Sequence, residues 1–276
     1  MSGSISFDPV ADRYDDTRGY PAQVAKRIAA GMMSVGPLAP GDDLLEIGIG
    51  TGRIALPLLS EGINVTGVDI SPLMVERLRA NLAQWQDDEP ELRWGRLRLE
   101  MADMTALPFA DDSFDAAVAV HVLHLVPEWR KALDEVLRVI RPGGVLLVGQ
   151  DVHSGSSPNS VIQDEWREIV ARLGCQTVIV GASGFSAIVD ELKRRGLAVT
   201  IETLTTWDVL QTPRGALDYI AGRTWSRTWP VPDAIFAESI RQLTTWAERR
   251  YKGTMETPAS SPHSFKVARA AWAAVE

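Results

Sequence analysis

The sequence predicts an α/β fold in which seven strands form a doubly wound, mostly parallel sheet with helices on both faces. Over the first 150 residues, apolar segments of strand length alternate with segments of helical periodicity, and the connections between them are short. Two further strand-like segments follow in the second half of the chain. The 276 residues are 45% apolar and 23% charged, a composition that can bury a full core.

Each predicted strand is a short apolar or alternating segment that ends at a polar residue or at glycine. The last one is expected to pair with the strand before it. The predicted strands span residues 44–48, 64–69, 96–101, 114–120, 145–149, 197–207 and 263–272.

The predicted helices rest on capping residues and on apolar stripes. Ser71 is a good N-cap and Pro72 suits the first helical position, so a helix is expected to begin there. A stripe that extends to Ile140 predicts another helix, ended by Pro142-Gly143-Gly144. Further helices are expected at residues 51–60, 158–173 and 185–195, and over most of residues 212–251.

Composition narrows the class of partner. The formal charge of −8 disfavours binding to a phosphate backbone, because that affinity depends on Lys and Arg. No apolar run approaches the roughly 20 residues of a membrane span, and the N-terminus resembles no targeting peptide. The single cysteine, Cys175, cannot form an internal disulfide. We therefore expect a cytoplasmic protein with a small-molecule partner.

The segment Glu46-Ile-Gly-Ile-Gly-Thr-Gly52 places three glycines directly after the first predicted strand, where open α/β sheets bind ligands. A dinucleotide fingerprint would need glycine at position 53, which is Arg53, and Glu46 would oppose a pyrophosphate. Asp69 ends the second strand 21 residues after Gly48 and can bind ribose hydroxyls. Asp103 and Met104 follow the third strand and can bind adenine. A cationic nucleoside fits this pattern better than a dinucleotide, and a purely structural glycine turn is the alternative.

Four motifs in order carry a resemblance to a known family. The segments LLEIGIGTGRIALPL, VTGVDIS, MADMTALPFADDSFDAAVAVHVLHLV and VIRPGGVLLVG resemble class I S-adenosylmethionine-dependent methyltransferases, in the branch similar to ubiquinone and menaquinone biosynthesis enzymes (methyltransferase type 11). The resemblance covers residues 44–149 and extends weakly to FDPVADRYDDTRGYP near the N-terminus. It implies a Rossmann-like methyltransferase fold whose last strand is antiparallel, and transfer of a methyl group from S-adenosylmethionine, which leaves S-adenosylhomocysteine.

The resemblance also implies roles for individual residues. Glycines of the turn would border the methionine part of the cofactor, Asp69 the ribose, and Asp103 and Met104 the adenine. Tyr14 and Arg18 would close over the cofactor, with Arg53 as a second candidate for its carboxylate. The implied cofactor site comprises Tyr14, Arg18, Glu46, Gly48, Gly50, Gly52, Asp69, Ile70, Asp103, Met104 and His121.

Methyl transfer needs no metal, and it needs a base only if the acceptor must lose a proton. His121 and His124, after the fourth strand, are the candidate bases, with Asp151 and His153 after the fifth; a histidine in an apolar run can equally be a core residue. We expect an N-terminal cofactor-covering segment (1–40), an α/β domain (41–210 and 260–276) and a helical substrate lid (211–259). The aromatic residues of that lid could line an acceptor pocket or form plain core: Tyr219, Trp225, Trp229, Phe236 and Trp246.

Three alternatives to a small-molecule methyltransferase stay open. The chain could bind the cofactor or its product as a regulatory module without turnover. It could methylate RNA, although its acidic balance disfavours this. A dinucleotide-dependent oxidoreductase is the weakest alternative because of Arg53 and Glu46.

Overall fold

A computed structural model describes residues 3–153, 155–177 and 179–272. Within them, one seven-stranded sheet has the order β3-β2-β1-β4-β5-β7-β6. The strands are β1 (Asp43–Ile47), β2 (Asn64–Asp69), β3 (Leu97–Met101), β4 (Phe114–Val120), β5 (Ile140–His153), β6 (Leu197–Gln211) and β7 (Ala259–Trp272).

The sheet confirms the predicted fold class. The pairs β1–β2, β1–β4, β2–β3 and β4–β5 are parallel, and the last strand is antiparallel and lies beside β6, as expected. The strand order reverses direction between β1 and β4. This point is the usual ligand-binding position of an open α/β sheet, at the carboxyl ends of its strands.

The helices lie near their predicted positions. A 3₁₀ helix (Asp8–Arg13) precedes the first α-helix, and two others span Leu123–Leu125 and Ser226–Thr228. The α-helices are α1 (Tyr14–Arg18), α2 (Ala22–Val35), α3 (Ala55–Ser60), α4 (Pro72–Asp88), α5 (Trp129–Val139), α6 (Pro158–Arg172), α7 (Phe185–Arg194), α8 (Pro213–Ala221) and α9 (Asp233–Arg250).

Local sequence explains several of these boundaries. The Ser71 side chain accepts a hydrogen bond from the Met74 N–H at 3.1 Å, so the predicted N-cap of α4 is confirmed. Ser157 and Thr212 cap α6 and α8 in the same way, and each of the three helices has proline at its start.

Several predicted boundaries are wrong. Helix α3 begins at Ala55 instead of residue 51, β6 extends to Gln211, and β7 begins at Ala259.

The predicted boundary between α5 and β5 is also wrong. Helix α5 ends at Val139, and Ile140 already belongs to β5, where it pairs with Phe114 of β4. Proline at position 142 disfavours helical backbone at the residue before it, and the pairing with β4 extends the strand back to Ile140. The predicted strand at residues 145–149 is therefore only the middle of a longer strand.

The chain divides into two compact units. The first unit comprises residues 1–150, 180–205 and 265–276, and the second comprises residues 151–179 and 206–264. The first contains the core around β1, β4, β5 and α5. The second has a separate core centred on Trp166, against which Tyr219, Trp225, Phe236 and Trp246 pack. No helix in the described ranges is both long and apolar enough to cross a membrane.

Candidate active site

A cleft lies in the first unit at the carboxyl ends of β1, β2 and β4. It is open to solvent on one side and is lined by both polar and apolar residues. Residues from the N-terminal segment, the glycine turn and the turns after β2, β3 and β4 all contribute to its wall. The lining residues are Ser4, Ile5, Phe7, Tyr14, Gly48, Gly50, Asp69, Ile70, Met74, Asp103, Met104, Val120, His121, Val122, Leu125 and Val126.

The glycine turn allows a close approach that a side chain would prevent. Gly48 has a φ of +67°, and a Cβ atom there would lie 2.4 Å from Cγ2 of Val122, in the turn after β4. Gly50 has a φ of +56°, and its Cβ would lie 3.2 Å from Cε of Met74. Glycine is required at position 48 both by the backbone conformation and by the packing of the two turns.

Asp69 links the glycine turn to the start of α4. Its Oδ2 accepts a hydrogen bond from the Gly50 N–H at 2.8 Å, and its Oδ1 accepts one from the Ser71 N–H at 2.9 Å. Burial raises the pKa of this carboxyl group, an effect that the backbone hydrogen bonds oppose. Each oxygen keeps acceptor capacity for a ligand hydroxyl, since a carboxylate oxygen can accept two hydrogen bonds.

The turn after β3 provides an acid and an apolar surface side by side. Oδ1 of Asp103 accepts hydrogen bonds from the N–H and from Oγ1 of Thr105, both at 2.9 Å, so the carboxylate is held at the cleft. Met104 is buried and belongs to the core of the first unit. A planar ring that donates hydrogen bonds could lie between these groups.

Glu46 is a buried acid with an incomplete set of hydrogen bonds. It is 3% exposed, and its Oε2 has no hydrogen-bond partner among the described residues. Burial raises the pKa of this carboxyl group well above its ordinary value, although the charge of Arg53 opposes the shift. Glu46 is not among the residues that line the cleft.

Hydrogen bonds to two aspartates hold the N-terminal segment at the cleft. Asp8 accepts a short hydrogen bond from Oγ of Ser71, at the start of α4. Asp15 accepts hydrogen bonds from Oγ1 of Thr51 at 2.5 Å and from Nδ2 of Asn81 at 2.8 Å. These contacts hold Phe7 and Tyr14 at the cleft wall, so the segment contributes to the site.

The side chains of Arg18 and Arg53 contact aromatic rings and a carbonyl oxygen and do not line the cleft. The guanidinium of Arg18 lies over the rings of Phe7 and Tyr14, at 4.8 and 5.1 Å from their centroids. Arg53 donates from Nη1 to the carbonyl oxygen of Arg18 at 3.0 Å and lies over the Tyr20 ring. Neither arginine lines the cleft.

The two candidate histidines differ in position. His121 lines the cleft and has a φ of +52°, a left-handed conformation that is uncommon for residues other than glycine. His124 lies in the 3₁₀ helix after β4 and is not among the lining residues; its carbonyl oxygen accepts a hydrogen bond from the Gly181 N–H at 3.1 Å.

The structure therefore brings most of the predicted site residues together. Tyr14, Gly48, Gly50, Asp69, Ile70, Asp103, Met104 and His121 line the cleft, whereas Arg18, Glu46, Gly52 and His124 do not. A Cβ at Gly52 would face Leu78 and Leu56 instead. Sequence reasoning missed the apolar lining residues; the helical stripe containing Met74 and the apolar run after β4 were the available signals. The missed lining residues are Ser4, Ile5, Phe7, Met74, Val120, Val122, Leu125 and Val126.

Comparison with known proteins agrees with this geometry. Residues 45–148 match the model of the methyltransferase domain family. The chain is 37% identical to a demethylmenaquinone methyltransferase of Clavibacter sepedonicus over 52% of this chain and 56% of that protein. It is 34% identical to the 27-O-demethylrifamycin SV methyltransferase of Amycolatopsis mediterranei over 49% of this chain and 48% of that protein.

A solved structure shows the same fold. It is a methyltransferase from Geobacter sulfurreducens in complex with S-adenosylhomocysteine, with a TM-score of 0.51 and 18% identity, and the match covers 97% of this chain and 98% of that chain.

Residues 45–148 are thus similar to a methyltransferase domain, in agreement with the resemblance found in the motifs. The chain spans about half the length of the two curated relatives.

Proposed function

We propose that this protein is an enzyme that transfers a methyl group from S-adenosylmethionine to a small-molecule acceptor. The observation that carries the proposal is Asp69, whose two oxygens are positioned by the backbone N–H groups of Gly50 and Ser71 at the edge of a cleft that also contains Asp103. The methyltransferase domain match over residues 45–148 supports it.

The residues of the cleft fit this cofactor. Asp69 can accept hydrogen bonds from the ribose hydroxyls, and Asp103 can accept one from the adenine amino group, with Ile70 and Met104 against the ring. Glu46 does not line the cleft, but its buried Oε2 has no partner among the described residues and suits the ammonium group of the methionine part. Gly48 and Gly50 line the cleft, and the absence of side chains there lets a ligand approach the backbone. The excess of acids also suits a positively charged ligand without phosphates.

When bound, the cofactor supplies an electrophilic methyl group; the acceptor's lone pair forms the new bond to carbon while the carbon–sulfur electron pair remains on sulfur. The chain's own contribution is chiefly to orient both reactants. The N-terminal segment, held by Asp8 and Asp15, contributes Phe7 and Tyr14 to the wall and limits access of water. His121 lines the cleft, so it is better placed than His124 to receive a proton from an acceptor that must lose one.

Substitution of Asp69 tests the cofactor half of the proposal. Asp69→Asn keeps the size of the side chain but removes the charge and one acceptor oxygen. We expect the dissociation constant for S-adenosylmethionine, measured by calorimetry, to rise about 10- to 100-fold, the loss typical of hydrogen bonds to a charged group. Asp87→Ala, an exposed acid of α4, is the control and should leave the affinity unchanged. Equal affinity of wild type and Asp69→Asn would contradict the assignment.

Turnover separates an enzyme from a binding module. Purified protein incubated with methyl-labelled S-adenosylmethionine and a set of phenols, quinols, alcohols and amines should produce labelled product. Saturable cofactor binding with no product from any acceptor class would favour the regulatory alternative. Salt-dependent RNA binding would favour an RNA methyltransferase, although the net charge of −8 argues against it. We further propose a cytoplasmic location, because the single cysteine cannot form an internal disulfide.

A further inference from the structure

The two edges of the sheet differ in length and in charge. Strand β3, at one edge, has 5 residues and carries Arg98 and Glu100. Strand β6, at the other edge, has 15 residues and contains no lysine, arginine or proline. Natural sheets protect an exposed edge from pairing with other chains by a short strand, by charged side chains or by proline. The edge at β3 has such protection, whereas the edge at β6 has little.

The part of β6 that belongs to the first unit, residues 197–205, is open to solvent. Among the described residues, no backbone hydrogen bond joins this segment to a turn, a loop or a helix cap. The N–H and C=O groups that point away from β7 are therefore available to another strand. The exposed residues of the segment are Ala198, Thr200, Ile201, Glu202 and Thr203.

Ile201 is the exposed apolar residue of this segment. Side chains alternate between faces along a strand, so Leu197, Val199 and Ile201 share one face of β6. Leu197 is buried and Val199 packs against the core of the first unit, whereas Ile201 is 50% exposed. The apolar face thus continues beyond the core to a side chain that a further strand would cover, which would remove apolar area from water.

The charges of the chain favour this edge as the contact with a second copy. The net charge of −8 makes two copies repel each other, but residues 197–205 carry a single charge, on Glu202. In an antiparallel pair with Ile201 on a two-fold axis, Glu202 lies opposite Thr200 of the second copy, whose hydroxyl group can donate to the carboxylate. An axis at Glu202 would instead place two carboxylates opposite each other. The register with Ile201 on the axis is therefore favoured.

We propose that residues 197–205 pair antiparallel with the same residues of a second copy of this chain, with Ile201 on the two-fold axis. The two sheets then become continuous, and the two exposed isoleucines cover each other. This contact goes beyond the proposed function, since no residue of the segment lines the cleft.

Single cysteines at chosen positions test the register. Cys175→Ser removes the natural cysteine, and Ile201→Cys is made in that background. Residues opposite each other in an antiparallel pair have Cα atoms about 4.5–5.5 Å apart, which a disulfide can span, so mild oxidation should give a reducible covalent dimer. Thr203→Cys in the same background is the matched control. Its two thiols would lie four residues apart along the strands, about 13 Å, and should not link.

Sedimentation of the full-length protein tests the contact without a cross-link. Wild type should have twice the mass of one chain over a concentration series. Ile201→Lys places two ammonium groups opposite each other, so the dissociation constant of the dimer should rise at least about 10-fold. Leu210→Lys, which changes a leucine of the same strand that is 73% exposed but lies outside the paired segment, should keep the dimer.

The outcomes separate this inference from the proposed function. The inference is overturned if wild type stays monomeric, if Ile201→Lys leaves the dimer intact, or if Thr203→Cys links as readily as Ile201→Cys. Binding of S-adenosylmethionine is measured on the same preparations and also shows that the variants are folded. Cofactor binding by a monomer would reject the strand pairing alone, whereas a dimer that binds no cofactor would reject the proposed methyl transfer alone.

Discussion

Two carboxylates of the first unit, the buried Glu46 and the half-buried Asp69, differ in how many of their oxygens accept hydrogen bonds. Asp69 accepts backbone N–H groups on both oxygens, whereas Oε2 of Glu46 has no partner among the described residues. Burial raises the pKa of both carboxyl groups. A buried carboxylate that lacks hydrogen-bond partners destabilises the protein when it ionises. The presence of glutamate at position 46 therefore suits a role in binding a cation.

The raised pKa of Glu46 predicts a pH-dependent stability. Because the folded-state pKa lies above the ordinary value of 4.5, the free energy of unfolding should fall as pH rises from about 4.5 through the folded-state value. Glu46→Gln removes this dependence and should unfold at higher urea concentration than wild type at pH 8, while binding S-adenosylmethionine more weakly. The measurement is the difference in unfolding free energy between the two proteins from pH 4.5 to 8. If the difference in unfolding free energy between the two proteins does not change with pH, other interactions offset the cost of burying the Glu46 charge, and the prediction is wrong.

Gly48 provides a second prediction at the scale of a residue. Gly48→Ala introduces a Cβ at a φ of +67° and 2.4 Å from Val122, so it should destabilise the protein by about 2–4 kcal/mol and abolish cofactor binding. Gly143→Ala is the matched control: its φ is +84°, but no atom lies within 4 Å of the new Cβ. It should lower the free energy of unfolding by about 1–2 kcal/mol, because only the left-handed backbone conformation is unfavourable for alanine. Equal urea midpoints for the two variants would exclude the contact with Val122 as a cause.

At the scale of elements, the N-terminal segment has little core of its own and depends on a few polar contacts. Helix α1 has no buried residue, and the preceding 3₁₀ helix buries only Val10 and Ala11. Asp8 and Asp15 connect these two helices to α4 and to the glycine turn. Segments held in this way open at lower free energy than the core does.

Asp15→Ala should therefore open the segment without unfolding the protein. It removes acceptors for Thr51, Asn81 and Arg77, so amide hydrogen exchange at residues 8–18 should accelerate while exchange in β1 and β4 stays unchanged. The dissociation constant for S-adenosylmethionine should rise about 10-fold, since hydrogen bonds to a charged group contribute about 1.5–3 kcal/mol. Asp16→Ala, exposed in the same helix, is the control. Unchanged exchange in the Asp15 variant would show that Asp8 alone holds the segment.

At the scale of the whole molecule, each unit has a hydrophobic cluster of described residues, and the two clusters share no residue. The first surrounds the central strands and α5, and the second is formed by α6, α8 and α9 around Trp166. Trp166 is fully buried, and its Nε1–H donates to Oγ of Ser239 at 3.0 Å. Separate cores predict that a core substitution in one unit affects the stability of that unit most.

Trp166→Ala tests this separation. The loss of a fully buried tryptophan should cost about 3–5 kcal/mol, and the unfolding of the second unit should shift to lower temperature. The affinity for S-adenosylmethionine should stay within about twofold of wild type, because every residue that lines the cleft lies in the first unit. Calorimetry with and without cofactor measures both effects. Loss of cofactor binding in the variant would show that the two units fold as one cooperative structure.

Sequence reasoning located the strands and the turns between them well, because both depend on local patterns. The glycine turn, Asp69 and Asp103 follow directly from the chain order of strand, turn and helix. The end of α5 was missed because the stripe of Leu133, Val136, Leu137 and Ile140 favours a helix, whereas pairing with β4 draws Ile140 into the sheet. The apolar residues of the cleft were missed because they look like ordinary core positions.

By itself, the sequence determined the fold class, the order of the motifs and the side of the sheet that carries the site. The reason is that periodicity, capping and the carboxyl-end rule act over neighbouring residues. Only the tertiary structure decided that Glu46 keeps an oxygen without a partner, that His121 lines the cleft while His124 does not, and that His263 meets Trp207 and His153. These facts depend on contacts between residues that are far apart in the chain. Such contacts form only when the strands pack together.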